Sequence, residues 1–481
     1  MKPGIRILIY LFFTALVIAT INYPFFWDTI QLASKHAHYF YETNFHSIIL
    51  PNDIDSGHIP TLGFYLAIIW KCLGKTLIAS HLAMLPFVLG IVYQSILITK
   101  KLFKSNWQNK ALIILLIDST LMAQCTLVSP DVLLVFFFLM ALNNLISGKR
   151  LFYLIALSGL VLVSMRGMMC IAAFFVAEII YDCCQNEVFS KNVKISQKFK
   201  SFFAISFFQN FLKYLPAIII SASFLAWHYY KTGWIGYHKD MPWSTLFETV
   251  NIKGFIWNIF ILGWRLTDFG RLFIWITGVY CAWDFFRYRP KFDANFKILL
   301  IVFACIFLAL SQAVLLHKGL SGHRYLLPVY LLFSLLVSYY LFEYSANIKL
   351  RNIFFVIITI GLLSGNFWVY PDKISKGWDS SLSYLPYFHL REKMMNYMKE
   401  SSIPFDKTGT AFPNLSKFEY IDLSNQDGSF APLDLKSNNY VFYSNIYNDF
   451  NDSELFELNA NWKKIQEFKL IQVKVALYKK P

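Results

Sequence analysis

The residues best equipped for chemistry in this chain are few, and the first group of them lies near its start. The stretch "LPNDIDSGHIP", residues 50–60, gathers Asp53, Asp55 and His58, while Asp28 directly follows the aromatic run "YPFFW". A carboxylate held against an apolar, aromatic wall is partly desolvated, which makes it more basic and suits it to work as a general base. Cations recur later: Arg166, then Arg265 and Arg271 around Asp268, then His317, Lys318, His323 and Arg324 beside Tyr325, with Ser129-Pro130-Asp131 between the groups. Arginine grips a phosphate bidentately and lysine meets it as a point charge. Each residue also has a plainer reading. Asp28 can cap a helix starting near Thr29, Asp53 and Asp55 can be turn residues beside Asn52 and Gly57, His58 can be a loop histidine at a helix start, and the arginines can reach for lipid headgroups.

The elements that position these residues follow from composition. Of 481 residues, 56% are hydrophobic, 19% aromatic and only 15% charged, which describes an integral membrane protein. Apolar runs of about 20 residues, enough to cross roughly 30 Å of hydrocarbon as helices, recur up to about residue 370. The fold expected is an α-helical polytopic bundle of about 11 spans, near 5–22, 80–99, 111–128, 131–147, 151–166, 169–182, 212–230, 266–286, 296–316, 326–343 and 352–369. The first run follows Lys2 and Arg6 and lacks a small-residue cleavage pattern, so it reads as a retained span. Placing the N-terminus inside puts Lys100, Lys101 and Lys104, Lys149 and Arg150, Lys191, Lys194, Lys198 and Lys200, Arg287, Arg289 and Lys291, and Lys349 and Arg351 on one side. The net charge of +15 is then a topology signal and not a mark of nucleic-acid binding.

Three further features complete the layout. The first loop, about residues 23–79, is long, and its second half "TLGFYLAIIWKCLG" suits a helix lying on or dipping into the bilayer. An odd number of spans sends residues 371–481 to the outside, where the sequence turns polar. There "LREKMMNYMKES" has helical periodicity, "NNYVFYSNI" and "KLIQVKVALY" alternate like strands, and "YPDKISKGWDSS" reads as a linker into a small α/β unit. The seven cysteines all precede that unit and lack disulfide or zinc spacing, so they belong to packing, and no phosphate-cradling glycine loop is present.

The motifs, taken in order, resemble a family. An aromatic-Asp step after the first span, a His-x-Pro element before an amphipathic helix, "SPDVLLVFFFLMAL", "LIALSGLVLVSMRGM" and "HRYLLPVYLLF" look like GT-C fold glycosyltransferases. Within these the chain is most similar to the family of protein mannosyltransferases and the lipid A aminoarabinose transferase. The resemblance covers about residues 1–370 and implies transfer of a sugar from a polyprenyl-phosphate donor to a lipid, glycan or protein acceptor at the outer face of the cytoplasmic membrane, usually with inversion. Asp28 falls at the family's catalytic Asp, with Thr29 where a Glu is common. His58-Ile59-Pro60 matches a Lys/His-Pro-Pro element with one proline lost, Arg166 stands in for a lysine, and Arg324-Tyr325 matches an Arg-Tyr pair. A base is needed on the nucleophile's side and positive charge on the leaving phosphate's side. Asp28 is the base expected, with His58, Arg166, Arg265, Arg324 and Tyr325 at the donor phosphate. Asp55 would be a second acid that orients the acceptor or holds a divalent cation. A transporter would instead show paired halves and charges near the midplane, of which Asp118 is the main example here. A polysaccharide polymerase or ligase would carry its large loop late, and a non-catalytic scaffold would tolerate alanine at the arginines.

Overall fold

The structure, a computed structural model, describes residues 3–185, 195–239, 241, 243–345, 347–371, 377–424, 428–447 and 449–481, with backbone alone at 195–206 and 209. Of the orientation-setting lysines, Lys191 and Lys194 therefore lie outside the described residues, and so do residues 372–376 of the expected linker. The helices are α1 (Pro3–Ala19), α2 (His36–Glu42), α3 (Thr61–Leu73), α4 (Leu77–Leu102), α5 (Gln108–Leu116), α6 (Ser119–Gln124), α7 (Pro130–Ser147), α8 (Arg150–Val163), α9 (Met165–Gln185) and α10 (Ile195–Thr232). There follow α11 (Ile252–Thr267), α12 (Leu272–Tyr288), α13 (Ala294–Leu316), α14 (Leu327–Tyr339) and α15 (Ile348–Ser364). Among the described residues seven helical segments are long and apolar enough to cross a bilayer, and α1, α3 and α8 are shorter apolar helices. The chain is a helical, polytopic membrane protein.

At the centre stands α14, in which every residue but Phe333 is buried, so it reads as apolar all round. A short 3₁₀ turn, His323–Leu326, leads into it and carries Arg324 and Tyr325. Pro328 sits in the first turn, where its missing N–H costs nothing. Helix α7 is started by Ser129, whose hydroxyl accepts the Asp131 N–H at 3.2 Å, and ended by Gly148 in the left-handed region. This fixes Asp131 in the first turn.

Two expected spans are corrected. The run 111–128 breaks at Asp118, which caps α6 by accepting Thr120 N–H at 3.0 Å and Leu121 N–H at 3.1 Å. Asp118 also takes two N–H bonds from Arg271, at 2.7 and 2.8 Å, and both side chains are almost fully buried. The isolated midplane charge is thus half of an ion pair that fixes a helix break. The run 266–286 divides as well, into the end of α11 and α12. Helix α11 was not expected. Val250 N–H bonds to Leu316 O at its start, and Arg265 Nε bonds to Ser321 O near its end, so both ends meet the same loop. Its buried positions Asn258, Leu262, Arg265 and Leu266 make one helical stripe, and Ile252, Trp257 and Phe260 are exposed on the other side. The corner after it needs Gly270, since a Cβ there would lie 1.9 Å from the Gly361 carbonyl oxygen.

Past the bundle come α16 (Pro386–Glu400), α17 (Phe418–Asp422) and α18 (Asp452–Asn461), with β1 (Thr408–Thr410), β2 (Ala431–Pro432), β3 (Tyr440–Ser444), β4 (Lys463–Leu470) and β5 (Val473–Lys479). The sheet order is β2-β1-β3-β5-β4, parallel from β2 to β3 and antiparallel beyond. "KLIQVKVALY" is not one strand: it turns at Ile471, which has φ +55°, to make the β4–β5 hairpin. The described cysteines are all free, in keeping with packing roles for the buried Cys125, Cys170, Cys183 and Cys281.

Arg271→Met would strand Asp118 as an unpaired buried charge. Unfolding in detergent is expected to show a loss of about 3–5 kcal/mol, and an unchanged stability would contradict the pair's role.

Candidate active site

The turn that carries Asp28 is built by its neighbours. Phe26 N–H donates to Thr29 Oγ1 at 2.9 Å and the Thr29 hydroxyl donates back to Phe26 O at 2.6 Å, closing a tight loop in which Trp27 has φ +51°. Thr29 is thus buried as the clasp of the turn. A π-helical stretch, Ile30–Lys35, follows at once, and such stretches are uncommon and frequent at functional sites. Asp28 caps nothing: its carboxylate pairs with the Arg324 guanidinium.

The aromatic wall before Asp28 is not a bilayer face. Phe26 stacks on Tyr384 with ring centres 4.9 Å apart and meets Phe388 edge-on at 5.5 Å, Trp27 lies 5.4 Å from Phe412, and Phe25 N–H bonds to Ile421 O at 2.9 Å. These contacts bury Phe26 and Trp27 in the core of the C-terminal unit, and such aromatic pairs each contribute about 0.5–1.5 kcal/mol beyond area burial.

Around Arg324 the side chains converge. Nη2 meets Asp28, Nη1 meets Asp379, and Nε lies 3.5 Å from Asp131 Oδ2. Arg166 Nη1 takes the other Asp131 oxygen at 2.5 Å. The Tyr325 ring lies between the two guanidiniums, 4.6 Å from that of Arg166 and 5.0 Å from that of Arg324, which suits cation–π attraction. Its hydroxyl is 3.3 Å from Arg324 Nη2. Gln124 completes the wall, donating to Asp379 O at 2.9 Å and accepting from Ser129 Oγ at 2.7 Å. Asp28, Asp131, Asp379, Arg166 and Arg324 line one small open cavity. Burial pushes the Asp379 carboxyl above the ordinary range, against the pull of Arg324.

The structure thus brings together Asp28, Arg166, Arg324 and Tyr325. His58 stands alongside: Met165 N–H donates to its Nδ1 at 3.4 Å, one residue before Arg166. Burial, Arg166 and His36 push its pKa down to about 4, so it is neutral at pH 7 with its proton on Nε2, a hydrogen-bond donor and not a cation. Two expected members lie elsewhere. Asp55 accepts from Gly57 N–H at 2.8 Å and from His228 at 2.9 Å, tying the 50–60 loop to the end of α10, and it lines a second cleft with His58 and Phe224. Arg265 stacks on Trp264, bonds to Ser321 O and faces Asp268, which binds His323 at 2.9 Å, a layer outside the cavity. Asp53 is exposed on its turn. Among the described residues no three His, Cys, Asp or Glu are grouped to hold a metal, and the Asp55 carboxylate is engaged by Gly57 N–H and His228.

Asp379 was missed because it lies in the stretch that reads as linker. Asp131 was visible as the opening of α7, yet nothing in sequence linked it to Arg166 and Arg324, which lie far along the chain.

The sequence matches no protein-family model and no curated protein. The structure does match that of ArnT from Cupriavidus metallidurans bound to undecaprenyl phosphate, with a TM-score of 0.55 and 10% identity, over 99% of this chain and 98% of that one. The chain has the GT-C fold. The match takes in the sheet as well as the bundle, so the GT-C fold here extends beyond the motif-bearing residues 1–370.

Stability should carry the signature of three histidines of the first loop, the buried His36 and His38 and the half-buried His58. His36, His38 and His58 are each lowered from 6.5 to about 4, chiefly by burial. The unfolded chain binds more protons between those values, so stability is lost as pH falls from 6.5 toward 4. The unfolding midpoint in detergent should drop across that window, and replacing the three with Gln should flatten the slope. An unchanged slope would contradict the assignment.

Proposed function

We propose that this protein is a membrane glycosyltransferase that moves a sugar from a polyprenyl-phosphate donor to a lipid, glycan or protein acceptor, with inversion at the anomeric carbon. The observation that carries the reading is the cavity itself: one partly exposed carboxylate, Asp28, beside two arginines on a fold shared with a protein bound to undecaprenyl phosphate. Asp28 takes the proton of the acceptor hydroxyl or amine as that atom bonds to the anomeric carbon. The bond from that carbon to the phosphate oxygen breaks, and its electron pair stays on the phosphate. Arg324, Arg166 and the Tyr325 hydroxyl meet the charge that develops there, in a site already arranged to do so. His58 adds a neutral donor at the phosphate's edge. Arg265 acts indirectly, by holding the loop that leads to Arg324.

The same reading places the N-terminus inside and the cavity at the outer face of the cytoplasmic membrane, as the distribution of Lys and Arg in the short loops supports. Residues 1–370 form the transferase bundle and residues 371–481 an extracytoplasmic unit. Helix α11 and helix α3 then lie in the outer interface, and the exposed Ile252, Trp257 and Phe260 face lipid.

Comparing glycolipids and glycoproteins by mass spectrometry in cells with and without the gene should reveal one missing sugar, naming donor and acceptor together; identical profiles would contradict the proposal. In membranes supplied with that donor, Asp28→Asn should lower transfer by about 10²–10⁴-fold, the usual loss of a general base. Arg324→Lys should also fail, because lysine cannot reproduce the fork that spans several oxygens. Wild-type rates in Asp28→Asn would remove Asp28 from the base role.

A further inference from the structure

Three carboxylates share the Arg324 guanidinium, and they are not equivalent. The side chains of Asp131 and Asp379 are 3% and 11% exposed, whereas that of Asp28 is 41% exposed. Asp131 is set in the first turn of α7 and is held again by Arg166. Asp379 is fixed through its backbone, since its carbonyl accepts from Gln124 at 2.9 Å and the next carbonyl, of Ser380, accepts from Thr120 at 3.0 Å. Asp28 has no such second tie: among the described residues its side chain bonds to Arg324 alone.

That bond conflicts with two demands of the chemistry. The Arg324 N–H takes Asp28 Oδ2 and pairs its charge, so only Oδ1 is left open to a proton from the acceptor. The Arg324 edge turned toward Asp28 is also the edge from which a donor phosphate would draw its hydrogen bonds, because the other nitrogens point at Asp131 and Asp379. Phosphate and Asp28 therefore compete for one edge of one guanidinium. If phosphate replaces Asp28, the number of anions around Arg324 stays constant and the most exposed of the three carboxylates is the one that moves.

We propose that Asp131 and Asp379 are positioning residues that hold Arg324 in place while Asp28 is exchanged for the donor phosphate, so that donor binding itself frees the base. This rests on the polyprenyl-phosphate reading of the site. It makes the order of events a property of the structure: the donor enters first, and the acceptor meets an active base only afterwards. An acceptor or water arriving at an empty site meets an Asp28 with Oδ2 taken and its charge already paired to Arg324.

The test is binding, not turnover. Undecaprenyl phosphate and the matching polyprenol, which lacks the phosphate, are titrated onto the full-length protein in detergent. Wild type should prefer the phosphate-bearing lipid; no preference would overturn the donor reading itself. Asp28→Asn keeps the shape but removes the competing charge, and it should bind undecaprenyl phosphate about threefold to tenfold tighter, with polyprenol unchanged. Equal or weaker phosphate binding, with the wild-type preference intact, would overturn the exchange and leave the donor reading standing. Asp379→Asn should do the opposite and weaken phosphate binding, because Arg324 loses an anchor. Tighter binding in Asp379→Asn would show that Asp379 is a competitor like Asp28, and would overturn the division of roles.

Discussion

Arg324 is a charged side chain placed at the mouth of α14, the most buried of the candidate spans among the described residues, and the rest of the site is the answer to that placement. A guanidinium lifted out of water is costly unless each of its edges meets an acceptor. Here the acceptors come from separate parts of the chain: Asp28 from the first loop, Asp131 from the start of α7, and Asp379 from the segment that leads into the sheet. Satisfying one buried cation thus gathers the first loop, the bundle and the C-terminal unit at one point. The aromatic contacts of Phe26 and Trp27 with Tyr384, Phe388 and Phe412 supply the apolar half of the same junction. The C-terminal unit is consequently a wall of the cavity.

The same logic recurs away from the cavity. Asp118 with Arg271, and Asp268 with His323, are buried pairs that sit where helices break or turn. At depth, α8, α9 and α10 are joined by Glu178, which accepts from Tyr153, Tyr214 and Lys213. A polar group in a bilayer has no water to fall back on, so its partner must be supplied by the chain. These pairs are structural by geometry, and this separates them from Asp28, whose carboxylate is partly open to the cavity.

Much of the helical architecture was legible because twenty-residue apolar runs have few alternatives in a membrane. Asp28, Arg166 and Arg324-Tyr325 were legible too, because each sits at the end of such a run, where an ionisable side chain needs a reason. What could not be read was pairing over long separations. Asp379 lies 55 positions from Arg324 inside a stretch with linker composition, and only the folded chain brings the two together. The break at Asp118 was hidden for a similar reason, since its partner Arg271 is 153 residues away. Helix α11 was missed because its apolar face and its arginine resemble a span start when read without the loop at 316–321 that it lies against. Asp55 drew attention by its crowded neighbourhood, but His228, the residue that explains it, is at the far end of α10.

The central claim is that the Arg324 cluster couples the C-terminal unit to the helical bundle. A double-mutant cycle between Arg324→Met and Asp379→Asn, read by unfolding in detergent, measures that coupling directly. The account predicts an interaction energy of about 1–3 kcal/mol, whereas single-mutant effects that add within about 0.5 kcal/mol would contradict it.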